Sequence, residues 1–585
     1  MKVLLVALNA KFVHTNLAIR YLKSYCQAEF PGIVAREFTI NEHLPEILAE
    51  IYREQPDIVG FSCYIWNIRG VLSLAANLKQ VLPDCLVVLG GPEVSFDSVD
   101  LITAHPYVDG IVRGEGEKAF LDLLRALRSG RSGLVKGVTW KEKKGVIQAE
   151  EGTIMENLDD IPFPYATEEG NLQGRIVYYE TSRGCPFNCS YCISSTTRGV
   201  RWFSMERVKT DLTRLLAQKP KEIKFVDRTF NAHPRRMREI MRFLLEQEET
   251  TPCHFEIVGD RLDRETMKFL ETVPPGRFKF EIGVQSCNPD VLRRVNRSMD
   301  WNALEHNVKE IREQDSIFIH LDLIAGLPGE TYSSFAESFN RVYRLAPHYF
   351  QLGFLKMLKG SSVRMESERY GYKFTHEPPY EVLENADLSY REIIKLKRIE
   401  DLVEKYYNSR DFANTLGYII ENEWQGNAFG FYEELASYWE DRRWHRVQHS
   451  KNSLYSMLLE FVQDRMPHLA VRAGELLKFD YFLNYHAQKL PEGLVHLEPP
   501  ALKEAFNEFL RKEDNRRRYF PELEDTSLAK LKRQLHLEFF QEDVFFLTGR
   551  RKYQLSGPLF AVLFKKNGPA FDLGPKTVPA LPENN

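Results

Sequence analysis

The stretch Glu180 to Ile193, reading ETSRGCPFNCSYCI, constrains this chain more than any other, because it sets Cys185, Cys189 and Cys192 at the spacing C-x3-C-x2-C. Three thiolates on one short loop containing glycine and proline can hold three irons of a 4Fe-4S cube, leaving the fourth iron without a protein ligand. An open iron invites a substrate or a small cofactor. A zinc site would normally close four ligands, often from two C-x2-C knuckles, and no second knuckle or nearby Cys/His pair follows downstream.

A chain of 585 residues is too long for one ordinary core, so two to four domains are expected. With 43% hydrophobic and 27% charged residues it reads as globular, and a net charge of -4 gives no global pull toward nucleic acid, which is not an expected partner. No apolar run approaches the ~18 residues of a membrane span. The opening MKVLLVALNA has a short apolar run without a small-residue cleavage pattern and reads as a first strand. Cys26, Cys63, Cys85, Cys253 and Cys287 are scattered among apolar neighbours, as suits a reducing cytoplasm, where the protein is expected.

Residues 1–130 alternate strand-like and helix-like segments, with strands over 2–8, 57–62, 86–90 and 110–113. This is the pattern of an α/β, Rossmann-like parallel sheet, whose ligands sit beyond the carboxyl ends of the strands. The loops at those ends read Asn9 to Asn16, Ser62-Cys63-Tyr64, Gly90-Gly91-Pro92-Glu93 and Gly114-Glu115-Gly116-Glu117. Residues 131–170 read as a hairpin bridging the domains and a linker stiffened by Pro162 and Pro164. Over 171–365, six strand-helix repeats predict a partial (βα)6 barrel, with strands at 176–180, 222–226, 254–257, 279–284, 318–324 and 349–355. The cysteine loop follows the first of these, at the face where barrel chemistry occurs. Residues 366–585 read as a mainly helical C-terminal domain without a motif attached to chemistry; its Arg516-Arg517-Arg518 run has acidic neighbours and reads as solvated surface.

The run Cys185-Pro186-Phe187-Asn188-Cys189-Ser190-Tyr191-Cys192 resembles the radical S-adenosylmethionine (SAM) superfamily, in which the open iron chelates the amino and carboxylate groups of SAM. Ser62 and the Gly90-Gly91 pair resemble the serine and double-glycine positions of cobalamin-binding (B12) Rossmann-like domains. The chain is thus similar to cobalamin-binding radical SAM proteins, with an uncharacterised domain appended. The resemblance implies three cofactors: a 4Fe-4S cluster on Cys185, Cys189 and Cys192, SAM, and cobalamin. It sets Tyr191 against the adenine, Asp227 and Arg228 at the methionine end of SAM, Gln285 at the ribose and the backbone around Gly326 at the adenine. Ser62, Gly90 and Gly91 would make room for the cobalamin tail. The D-x-H-x-x-G pattern that supplies a lower cobalt ligand is absent, which leaves either His14 in that role or an unliganded lower face over Phe12 or Val13.

The implied chemistry is reductive cleavage of SAM to a 5'-deoxyadenosyl radical, followed by methylation of an unactivated carbon. Rearrangement or cyclisation without methyl transfer is the alternative. A methylthiotransferase would need three N-terminal cysteines at the sheet's ligand edge, where Cys63 fits but Cys26 and Cys85 do not. A non-catalytic module responding to cobalamin or redox state is the non-enzyme reading. The partners implied are an external electron donor such as flavodoxin or ferredoxin and a small-molecule or peptide substrate that the sequence does not name.

Overall fold

The apolar opening of the chain becomes β1 (Val3–Asn9), buried along its whole length as an interior parallel strand must be. It lies between β2 (Ile33–Thr39) and β3 (Ile58–Ser62), and β4 (Leu86–Gly90) and β5 (Gly110–Val112) continue the parallel sheet. The helices between the strands cover both faces and give two apolar layers, one around Val6, Phe61 and Leu89 and the other around Leu5, Val88 and Phe120. The hairpin β6 (Val138–Glu142) and β7 (Gly145–Gln148) joins this sheet antiparallel to β5, completing the order β2-β1-β3-β4-β5-β6-β7. It therefore belongs to the first sheet and is not a bridge between domains. Trp140 packs across Gly110, where a Cβ would come within 2.3 Å of the indole.

This computed structural model describes residues 1–130, 135–166, 172–196, 199–485, 489–497, 507, 509–519, 521, 526–566 and 568–576; part of the expected linker, 167–170, lies outside them. The chain divides into two units, one of residues 1–338 and 345–393, the other of 339–344 and 394–585.

The first unit continues with β8 (Ile176–Tyr179), the short antiparallel pair β9 (Ser182–Cys185) and β10 (Gly199–Trp202), then β11 (Glu222–Phe225), β12 (Cys253–Ile257), β13 (Phe278–Gln285), β14 (Phe318–Ala325) and β15 (Tyr349–Phe354). Apart from β9 and β10 they form one parallel sheet in the order β15-β14-β13-β12-β11-β8. Strict alternation fills its two faces differently. In β13, Phe278, Phe280, Ile282 and Val284 are buried under the helices, and Lys279, Glu281, Gly283 and Gln285 take the opposite face. On that face charges pair across strands, His254 with Glu281 at 2.8 Å and Lys279 with Glu222 at 2.9 Å, and along β14, His320 with Asp322 at 2.7 Å.

The second unit is built on the helices Ala413–Trp424, Ala428–Asp441, Lys451–Arg465 and Ala470–Asn484 around buried Tyr406, Trp439, Tyr455 and Phe461. A three-stranded antiparallel sheet of Leu535–Phe540, Leu559–Lys565 and Ala570–Lys576 follows. Among the described residues no helix is long and apolar enough to cross a membrane.

Candidate active site

Cys185 ends β9, and the residue before it has to be glycine. Gly184 has φ +96, and a Cβ there would lie 2.1 Å from the carbonyl oxygen of Gly199 on the paired strand. Asp227, just after β11, braces the same turn. Its carboxylate accepts from Thr181 N at 2.9 Å, Thr181 Oγ1 at 2.7 Å and Ser182 Oγ at 2.5 Å, and the residue is 1% exposed. The resemblance sets Asp227 against SAM, but it does not line the cysteine cavity, and both its carboxylate oxygens are engaged by the chain leading into the cysteine loop.

Cys185, Cys189 and Cys192 line a cavity of about 200 Å³ together with Tyr191, Arg228, Glu256, Glu281, Gly283, Gln285, Arg297 and Asp322. Arg297 reaches the Tyr191 hydroxyl at 3.3 Å, lies 3.9 Å from the Cys189 sulfur and donates to the Gly283 carbonyl. Gln285 sits at a register shift of β13 with φ +72, a conformation unusual for a non-glycine residue, and its Oε1 is buried without a partner. Strained backbone and an open acceptor in one residue suit a ligand contact. Gly283 keeps that amide in place, since a Cβ there would come within 2.1 Å of Gln285 Nε2. Gly326 is elsewhere. It does not line the cysteine cavity, and its carbonyl accepts from the Tyr372 hydroxyl at 2.8 Å and Asn385 Nδ2 at 3.1 Å.

Sequence reading missed Glu256 and Arg297. The alternation in Cys253-His254-Phe255-Glu256-Ile257 is the signal for the first, because it turns Glu256 to the charged face. Arg297 lies beyond the strand in a loop and carries no such pattern. Burial, then the neighbouring Glu281 carboxylate, push Glu256 up to about 7, whereas the His254 hydrogen bond and the Lys224 charge outweigh burial and pull Glu281 down to about 2. Because the folded value for Glu256 lies above the ordinary 4.5, its contribution to stability is fully present below about pH 4.5 and is lost as pH rises through about 7. Glu256→Gln is expected to remove on the order of 2–3 kcal/mol of pH dependence across that window. Denaturant titrations of both proteins at several pH values check it, and parallel pH profiles would refute it.

A larger chamber of about 770 Å³ opens between the strand ends of the first sheet and the barrel, lined among others by His14, Tyr64, Trp66, Gly91, Gly114, Tyr178, Arg183 and Arg228. A slot of about 120 Å³ runs from it along the first sheet between Gly60, Ser62, Val88, Gly90 and Phe120. Tyr64, Gly91 and Gly114 border both slot and chamber, and Ser194, Arg228 and Glu256 border both chamber and cysteine cavity. Of the residues expected near a cofactor face, His14 is on the chamber wall with Nδ1 2.5 Å from the Tyr178 hydroxyl, and burial followed by the Lys11 charge lowers its pKa. Phe12 is 72% exposed under the Arg175 guanidinium, and the Val13 carbonyl accepts from Ile176 N at 2.7 Å; neither lines the chamber. Aromatic surface there comes instead from Tyr21, Phe96, Tyr178 and the pair Tyr64 and Trp66, stacked with centroids 4.4 Å apart.

Two glycines of the slot differ in what they do. A Cβ on Gly91, at φ +118, would lie 2.5 Å from the Cys63 carbonyl oxygen, so this glycine is required by the backbone itself. A Cβ on Gly90 would meet nothing closer than 3.6 Å. The Gly114 to Glu117 loop has a further role. Glu117 and Glu115 lie 2.5 Å and 3.5 Å from the Arg183 guanidinium, Glu180 holds its Nε at 2.7 Å, and Glu115 also pairs with Arg201. The loop thus ties the first sheet to the hairpin that carries Cys185.

Comparison with known proteins gives three matched segments: the B12 binding domain over residues 3–124, the radical SAM superfamily over 179–342, and a protein of unknown function (DUF4080) over 368–560. The cobalamin-dependent radical SAM methyltransferase TokK of Streptomyces tokunonensis is 27% identical over 52% of this chain and 47% of its own. The hopanoid C-3 methylase of Methylococcus capsulatus is 29% identical over 44% of this chain and 52% of its own. The chain spans about half the length of these curated relatives. Among solved structures, the cobalamin-dependent SAM radical enzyme OxsB with aqua-cobalamin bound superposes with a TM-score of 0.59 at 15% identity over 82% of this chain and 80% of that one. TsrM from Kitasatospora setae, with cobalamin and a [4Fe-4S] cluster, gives 0.54 at 16% over 65% and 78%. At these identities the likeness is one of fold.

Proposed function

We propose, for a chain that joins a B12 binding domain to a radical SAM domain, an enzyme that methylates an unactivated carbon of its substrate. Its cofactors are cobalamin, a 4Fe-4S cluster and SAM. The observation that carries the reading is the continuity of slot, chamber and cysteine cavity through shared walls. When bound, the cluster with SAM supplies a carbon-centred radical able to remove hydrogen, and cobalamin supplies the methyl group.

The residues present fit these groups. Cys185, Cys189 and Cys192 would hold three irons. Arg297 brings a guanidinium suited to a carboxylate, and Gln285 Oε1 is an open acceptor for a hydroxyl. Glu256 and Arg228 border both cavities and can orient polar groups of a substrate held between them. The narrow slot suits an extended tail, and Tyr64 with Trp66 offers a flat apolar face. A methylthiotransferase reading is less well supported: Cys26, Cys63 and Cys85 sit in the apolar layers, and none lines the chamber.

The test is anaerobic reconstitution, reduction by a flavodoxin or a ferredoxin, and incubation with SAM carrying a deuterated methyl group. Formation of 5'-deoxyadenosine, together with S-adenosylhomocysteine and labelled cobalamin, is expected. Absence of 5'-deoxyadenosine would overturn the radical reading, and absence of the labelled methyl group would favour rearrangement or cyclisation. For the slot, Gly90→Leu is expected to abolish cobalamin retention while leaving the iron content unchanged, read from visible spectra and iron analysis after reconstitution. Retention of cobalamin at wild-type level would mean that the tail lies elsewhere.

A further inference from the structure

The second unit holds a group of side chains that the proposed chemistry does not use. His536 and Glu538 stand two residues apart on the strand Leu535–Phe540 and so share one face, and His496 comes from the separate segment 489–497. His496 Nδ1 lies 2.9 Å and His536 Nε2 3.1 Å from the same carboxylate oxygen, Glu538 Oε2. All three ligand atoms fall within 4.8 Å of one another. Glu538 is only 2% exposed, whereas the two imidazoles keep 30% and 29% of their surface open.

The surroundings fix this arrangement. Lys478 lies 3.8 Å from the other oxygen, Glu538 Oε1, and donates to the Phe539 carbonyl at 2.7 Å and the Val495 carbonyl at 3.3 Å, next to a ligand on each segment. Leu497 N also donates to Oε1 at 3.4 Å. These contacts hold one carboxylate oxygen and leave the other turned to both histidines. Phe482 stacks on His536 with centroids 4.1 Å apart and sets its ring plane. Partners behind a ligand that fix its orientation are what a metal site requires.

We propose that His496, His536 and Glu538 form a binding site for a divalent transition-metal cation of the zinc and iron(II) class. Two imidazole nitrogens and one carboxylate oxygen match the borderline character of such ions, whereas calcium and magnesium take all-oxygen sets. Each imidazole would bind the cation in its neutral form, through the nitrogen directed at Oε2 and with the ring proton on the other nitrogen. The positions not taken by protein remain for water or a small anion, and the cation cross-links residues 489–497 to the C-terminal sheet.

The cysteine loop would obscure a metal count, so the test uses the full chain with Cys185, Cys189 and Cys192 replaced by serine. The purified protein is stripped with chelator and titrated with cobalt(II) as a spectroscopic probe and with zinc(II) by calorimetry. One equivalent of each is expected, with visible cobalt bands that zinc displaces and a Tm raised by zinc. His536→Ala is expected to weaken binding at least about 100-fold and to remove the Tm increase. His496→Gln, which keeps a polar side chain at the other histidine, is a second variant less disturbing to the fold, and circular dichroism verifies that both variants are folded. Failure to take up a stoichiometric cation, or uptake that survives both substitutions, overturns the proposal. Because this site shares no residue with the three cavities, neither outcome depends on the activity proposed above.

Discussion

Replacing any one of Cys185, Cys189 or Cys192 by alanine is expected to abolish the 4Fe-4S cluster and with it all SAM cleavage, a loss to background. The three sulfurs line one cavity, and its other polar groups are carboxylates, an amide, guanidinium cations and the hydroxyls of Tyr191, Ser194 and Thr229, none of which matches soft thiolate as a ligand for cluster iron. Anaerobic iron and sulfide counting, absorbance and 5'-deoxyadenosine yield measure the outcome. A single variant with four irons and normal yield would refute the ligand assignment. Arg297 makes the prediction more specific. It lies 3.9 Å from the Cys189 sulfur and brings a guanidinium to the cavity wall without itself being able to ligate iron. Arg297→Ala is therefore expected to weaken SAM retention while leaving iron in place.

Arg183→Ala should cost about 3 kcal/mol of stability, since it leaves Glu117 buried and Glu180 mostly covered without their shared cation. Arg183 is surrounded by Glu115, Glu117 and Glu180 and lies 5.4 Å from the Tyr21 ring centroid. One guanidinium spans three carboxylates in a way that an ammonium cannot, so Arg183→Lys should recover only part of the loss. Denaturant unfolding of the three proteins at neutral pH decides it. A change below about 0.5 kcal/mol would show that the cluster of charges is solvated and of little consequence.

The barrel strands were legible because each is a short apolar segment with alternation, and β12 to β15 begin within a residue of where the pattern places them. β2 was not legible. It is an edge strand whose Arg36 and Glu37 break the apolar run, and only its pairing with β1 makes it a strand. The pair β6 and β7 was visible as a hairpin, but its attachment to β5 is a non-local contact that turn signals do not encode. The same limit governs the site. Cys185, Cys189 and Cys192 lie in one loop, so spacing alone finds them, whereas the cavity wall of Glu256, Gln285 and Arg297 is gathered from separate segments. Asp227 misled for the complementary reason: a polar residue at a strand end reads as a ligand contact, yet here it satisfies the backbone of Thr181. His496 lies 40 positions from His536, beyond the reach of any spacing rule.

The hairpin that completes the first sheet also settles where the chain tolerates being cut. β5 offers only Gly110, Ile111 and Val112 to its neighbours, and β6 covers its outer edge through Trp140, Thr139 and Val138. A fragment ending near residue 130, at the close of the helix Gly116–Arg128, would bare that edge together with the apolar surface beneath Trp140. Exposed strand edges recruit other chains. A fragment carried through Gln148 keeps β7 outermost, and β7 is short, half-exposed and preceded by Lys143 and Lys144, features that discourage such pairing. The hairpin is thus the sheet's guard against self-association.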